Sequence, residues 1–114
     1  MIHVLASIKV KPGKRDILIE HLKSNIPNVI KEKGCIEYNA TIDVDYHMDN
    51  QTFDENMVTI IEKWENFETL KNHMHAPHML SYRKNVKDLV EYTSRKFFQT
   101  LNPYRVPETN IIIK

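Results

Sequence analysis

A chain of 114 residues has room for one domain around one core. Hydrophobic residues make up 41% and charged residues 27%, the mix of a globular protein rather than of a disordered or fibrous one. With 16 basic against 15 acidic residues, no strong field draws the chain to nucleic acid, and no apolar run approaches the ~20 residues that cross a membrane.

The opening MIHVLASIKVKPGKR carries its charges after its apolar part, unlike a secretory leader, and reads as a strand. Ile2, Val4, Ala6, Ile8 and Val10 alternate onto one face, with His3, Leu5, Ser7 and Lys9 on the other. Pro12-Gly13 ends it. A helix is expected from about Lys14 to Lys33, with Leu18, Leu22, Ile26, Val29 and Ile30 as its apolar stripe, a kink or break at Pro27, and Gly34 as the left-handed residue that stops it. CIEYNATI is a second strand with Ile36, Tyr38, Ala40 and Ile42 on one face. Asp43 to Asn56 is a polar, acidic hairpin connection. MVTIIEKW is a third strand, with Val58, Ile60, Glu62 and Trp64 sharing a face.

Asn66 is a good N-cap for a short helix bearing Phe67, Leu70, His73 and Met74. Ala76-Pro77 interrupts it, and Pro77 starts a further helical segment to about Leu89. EYTSRKFFQTL is a fourth strand. Residues 1–101 thus form one domain, and 102–114 an extension that adds an edge strand or crosses to a partner chain.

The order β-α-β-β-α-β is the ferredoxin-like α+β arrangement: a four-stranded antiparallel sheet with both helices on one face. The other face offers Leu5, Met57, Ile61 and Phe97 among polar groups, a mixed surface that fits sheet-to-sheet homodimerisation.

Cys35 is the one cysteine, which excludes an intrachain disulfide and a thiolate metal cluster and makes a reducing cytoplasm the default. It reads as a small buried hydrophobe. Glu62 falls on the face with Val58, Ile60 and Trp64, so its carboxylate must find a partner or water. Two readings stay open: a strand-end group reaching solvent, or a carboxylate that orients an imidazole in a pocket. Trp64 is either a large core residue or the wall of a pocket for an aromatic ligand.

Three histidines follow. On a helix, positions 73 and 75 diverge by about 200° and cannot face one metal. His73 and His78 straddle the break at Ala76-Pro77, but two imidazoles without a carboxylate make a thin site, so no metal is expected. His73 sits on the buried stripe as a general base or as a satisfied core histidine. His75 points outward. His78 is expected at a helix end or at the mouth of the same cavity.

Glu62-x-Trp64 followed by Leu70, His73 and Pro77-His78 resembles the E-x-W…L-x-x-H-x-x-x-P-H signature of antibiotic biosynthesis monooxygenase (ABM) domains. Lys33-Gly34-Cys35-Ile36-Glu37-Tyr38 is similar to that family's G-C-x-x-Y turn into the second strand. The resemblance implies a dimeric α+β barrel and a cytoplasmic enzyme that oxidises quinols or related small aromatic compounds with O2, with no metal, flavin or haem cofactor. It makes His73 the base, assisted or replaced by His78, with Glu62 orienting the imidazole. Trp64, Ile60, Leu70, Met79 and Tyr82 would line the pocket. Quinone-forming members carry an asparagine and a tyrosine where this chain has Ile60 and Leu70. Haem-degrading relatives use an asparagine, a tryptophan and a histidine where it has Ser7, His73 and Arg83. A non-catalytic dimer that binds a small molecule, and a cofactor-free isomerase built on Glu62 and His73, remain the alternatives.

Overall fold

The computed structural model describes residues 1–102, so the expected extension lies, but for its first residue, outside the described residues. The elements are β1 (Ile2–Val10), α1 (Arg15–Val29), β2 (Cys35–Ile42), β3 (Met57–Trp64), α2 (Phe67–Met74), α3 (Pro77–Val86), a 3-10 turn (Lys87–Leu89) and β4 (Val90–Phe98). All neighbours in the sheet are antiparallel, in the order β2-β3-β1-β4. This is the expected ferredoxin-like α+β fold, with its second helix divided at Ala76-Pro77.

The alternation in β1 does what period-two burial predicts. Val4, Ala6, Ile8 and Val10 are buried, and the register sets the first three against Glu62, Ile60 and Val58 of β3. Leu18, Leu22 and Val29 of α1 close over this face, and Met79 and Val86 of α3 complete the cover. Two clusters result, one around Ile8, Leu18 and Ile60, the other around Val4, Trp64 and Leu70. Tyr38 and Tyr82 pack against both.

The structure departs from expectation at three places. First, α1 ends at Val29 rather than near Lys33, and it passes through Pro27 without a break. Pro27 is exposed in the last turn, so the Lys23 carbonyl that loses its donor lies on the solvent side. Beyond Ile30 the chain tightens, with Glu32 N donating to the Val29 carbonyl and Cys35 N to the Glu32 carbonyl. Ile30 is therefore exposed rather than part of the stripe.

Second, the pairing of β2 with β3 slips between Cys35 and Glu37. The bulge leaves Ile36 unpaired and exposed rather than on one face with Tyr38, and Cys35 is the residue that pairs with Trp64. Third, Phe97 pairs with Val4 and so faces the helices, not the outer surface. Adjacent phenylalanines put one ring on each side of the sheet. Phe98, opposite His3, is the outer one.

Gly34 turns the chain into β2 at φ +84°, a conformation that costs a side-chain-bearing residue dearly. The Thr69 side chain occupies the space a Cβ would need, 2.5 Å from it, and the Gly34 carbonyl accepts from Glu65 N at 2.8 Å. Thr69 is itself held by the cap of α2, where the Asn66 side chain accepts from its backbone N–H at 2.9 Å. The turn before β2 and the start of α2 are thus one locked unit.

Candidate active site

Residues two apart on a strand share a face, so Glu62 and Trp64 of β3 both point beneath the helices. The indole reaches back along the strand, and Trp64 Nε1 donates to Glu62 Oε1 at 2.9 Å. Glu62 is 6% exposed and has Tyr38 of β2 directly across from it. Burial pushes its carboxyl up to about 7, against the opposing pull of the Trp64 N–H and of the Arg95 charge. The carboxyl therefore stands at the edge of ionisation near neutrality.

His73, in the last turn of α2, is 3% exposed. Its ring lies over Trp64 with centroids 4.5 Å apart and meets the edge of Tyr38 at 5.5 Å. The carboxylate that holds it is Glu32, not Glu62: Nδ1 is 2.7 Å from Glu32 Oε2. Glu32 arrives there because α1 stops early and the tight turn after Ile30 swings its side chain toward α2. Burial drives the imidazole below the usual histidine value, partly offset by the Glu32 carboxylate. A neutral ring donating Nδ1–H to Glu32 keeps its lone pair on Nε2, the tautomer a general base needs.

His78 has a different setting. Its Nδ1 is 3.1 Å from Asn25 Oδ1, and its Nε2 is 3.2 Å from Glu32 Oε2 but off the direction of a hydrogen bond. It lines a shallow surface pocket with His21, Asn25 and Asn85 rather than the main cavity.

That cavity, about 280 Å³, lies between the sheet and α3. Of the residues expected at the site, Glu62, His73, Ile60, Leu70, Met79 and Tyr82 all line it. Trp64 is fully buried behind the wall, touching the cavity only through the two groups it supports. Ile60 and Leu70 are 2% exposed, so this stretch of wall is apolar. The Tyr82 hydroxyl is buried, has no hydrogen-bond partner among the described residues, and is pushed by burial up to about 12.

Sequence reasoning missed Glu32, Tyr38 and the cationic side of the cavity, formed by Arg83, Lys87 and Arg95. Tyr38 had a signal, as the last residue of the G-C-x-x-Y turn. Glu32 had none, because its role depends on where a helix stops. Cys35 is half-buried, and burial raises its thiol further from ionisation. Among the described residues, no group of three or more His, Cys, Asp or Glu is arranged to hold a metal ion. No helix among them is long and apolar enough to cross a membrane.

Comparison with known proteins identifies the family and agrees with the fold. The family pattern described as "Antibiotic biosynthesis monooxygenase" matches residues 1–85. The Escherichia coli K12 protein named "Probable quinol monooxygenase YgiN" is 32% identical over 98 residues, covering 83% of this chain and 94% of that one. Among solved structures, protein SO0527 from Shewanella oneidensis superposes with a TM-score of 0.73 at 28% identity, covering 85% of this chain and 87% of its own. A conserved protein from Methanosarcina mazei Go1 shares the fold with a TM-score of 0.74 at 23% identity, over 86% and 90% of the two chains. The chain belongs to the antibiotic biosynthesis monooxygenase family.

Proposed function

We propose that this chain oxidises a small quinol or related aromatic alcohol with O2, drawing its electrons from the substrate rather than from a bound cofactor. The observation that carries the reading is His73: a buried imidazole tied by Nδ1 to Glu32, on the wall of a cavity that is apolar at Ile60 and Leu70. Triplet O2 reacts slowly with a neutral phenol, but a phenolate can give it one electron. Nε2 of His73 takes the hydroxyl proton, and the low polarity of the cavity keeps the anion reactive. Superoxide and the ring radical then combine at carbon. Loss of water from that peroxide leaves a carbonyl, so one oxygen atom enters the product and the other leaves as water.

In this scheme Glu32, bonded to His73 Nδ1, takes the orienting role expected of Glu62, and Glu62 holds or gives a proton. His78 lies outside the cavity and has no direct part in this scheme. Anaerobic mixing with a panel of quinols, followed by air, is expected to give enzyme-dependent O2 uptake. His73→Ala is expected to lower the rate at least a hundredfold, in the range of general-base contributions. Uptake unchanged in that variant rejects His73 as the base.

One observation favours a second reading. With Ile60 and Leu70 at the wall, two expected hydrogen bonds to substrate oxygens are gone, which suits a protein that binds an aromatic molecule without turning it over. That reading predicts ligand-induced thermal stabilisation and no O2 uptake.

The proposal includes a cytoplasmic homodimer. The outer sheet face exposes Ile61, Tyr92 and Phe98 around a half-buried Leu5, a surface suited to pairing with a second copy. Sedimentation of the purified chain tests it: a monomer at micromolar concentration rejects the dimer.

A further inference from the structure

The helices leave the inner side of β4 exposed, and between the apolar Val90 and Phe97 that strand shows the cavity one hydroxyl and one cation, Thr93 and Arg95. Thr93 and Arg95 sit two apart on this face, opposite Ile8 and Ala6 of β1, and both are exposed. Across the opening stand Arg83 near the end of α3 and Lys87 on the turn that follows. All four line the same cavity as His73 and Glu62. Three cations therefore gather at one mouth of a chain whose formal net charge is only +1.

Among the described residues, none of the three is in an ion pair. The ion pairs among the described residues involve Lys9, His47, Lys63, His73 and His78, and none involves Arg83, Lys87 or Arg95. Among the described residues the one carboxyl lining the cavity is Glu62, which feels the Arg95 charge but is hydrogen-bonded by Trp64 and lies deep among apolar side chains. Arg83 is anchored through one guanidinium nitrogen to the Met74 carbonyl, which fixes the side chain while leaving other N–H groups free. Burial is the main cause that lowers the Arg83 value, and the positive charge of Arg95 lowers it further, so the two cations repel one another. An anion between them removes that repulsion and matches the planar N–H fork of a guanidinium.

We propose that the substrate is an aromatic alcohol that also carries an oxyanion, with the hydroxyl at His73 and the anion seated among Arg83, Lys87, Thr93 and Arg95. This rests on the reading of the cavity as the substrate site, and it names the class of substrate that site selects. The cationic mouth speeds capture and fixes which end of the molecule enters, so that the hydroxyl reaches the imidazole rather than the rim.

A matched pair of probes tests it: naphthol, and the hydroxynaphthoate that bears a carboxylate on the opposite ring, each titrated calorimetrically into the full chain. The carboxylated probe is expected to bind roughly tenfold tighter or more, as one charge-assisted contact allows. That ratio is expected to shrink toward one in the double variant Arg95→Gln, Lys87→Gln, and to shrink in the native chain as salt rises. Equal affinities overturn the anion site while leaving the cavity reading intact. A preference that survives both the substitutions and high salt overturns it as well. If neither probe binds, the cavity is not an aromatic site and both readings fall.

Discussion

Replacing Glu62 by glutamine tests the electrostatics of the site without disturbing its shape. The amide oxygen still accepts the Trp64 N–H, but the group no longer ionises. In the native chain, burial lifts this carboxyl from 4.5 to about 7. A carboxyl raised on folding binds its proton more tightly in the folded chain, so its contribution to stability is full below pH 4.5 and is lost as pH rises toward about 7. At about 1.4 kcal/mol per pH unit, the loss across that window is about 3 kcal/mol. His73 works the other way, because its lowered value makes acid destabilising below the ordinary histidine range. That term is present in both proteins and drops out of their difference. Urea unfolding of the native chain and Glu62→Gln at about pH 5 and about pH 8 is the assay. The variant is expected to gain up to about 3 kcal/mol on the native chain between those conditions. A difference that stays flat with pH means that the carboxyl is solvated and ionised throughout, and removes it as a proton donor.

Two further outcomes follow from the same geometry. Glu32→Gln is expected to cut turnover roughly tenfold to a hundredfold, the usual cost of losing the partner that orients a working histidine. Because the Glu32 carboxylate raises the His73 value, the acidic limb of the pH–rate profile should also move to lower pH; a limb that stays put assigns Glu32 a purely structural role. Gly34→Ala meets the Thr69 side chain 2.5 Å from its new Cβ at φ +84°, whereas Gly13→Ala at φ +78° meets nothing within 4 Å. Thermal unfolding should therefore show Gly34→Ala as the more damaging change, by about 1–3 kcal/mol; equal losses would refute the packing argument.

How legible the molecule was depended on whether a feature is periodic. Val4, Ala6, Ile8 and Val10, and Val58, Ile60, Glu62 and Trp64, declare their inner face by alternation, and the structure puts that face under the helices. Asn66 and Pro77 mark helix starts through local chemistry that needs no tertiary context. Features set by one residue's departure from a period were not readable. The bulge at Ile36 exchanges Cys35 for Ile36 on the core side, and the early end of α1 delivers Glu32 to His73. Phe97 shows the same limit, since two adjacent rings fit either face and only pairing with Val4 decides.

What joins these pieces is Trp64, which the cavity never touches directly. Its N–H holds Glu62 and its ring supports His73, so one fully buried side chain fixes the proton-carrying groups of two different elements. The shared burial acts on them in opposite senses: it favours the protonated acid at Glu62 and the unprotonated ring at His73. Near neutral pH the Glu62 carboxyl is at the edge of ionisation and the His73 ring is held toward its unprotonated form, so one cavity can hold a donor and an acceptor together. On the proposed reaction, His73 takes the hydroxyl proton at the start, and the Glu62 carboxyl supplies one to the departing oxygen when water is lost. If that division holds, Glu62→Gln should slow product formation after O2 is consumed, while His73→Ala should block O2 consumption itself. Rapid-mixing kinetics that place both defects before O2 uptake would refute the division.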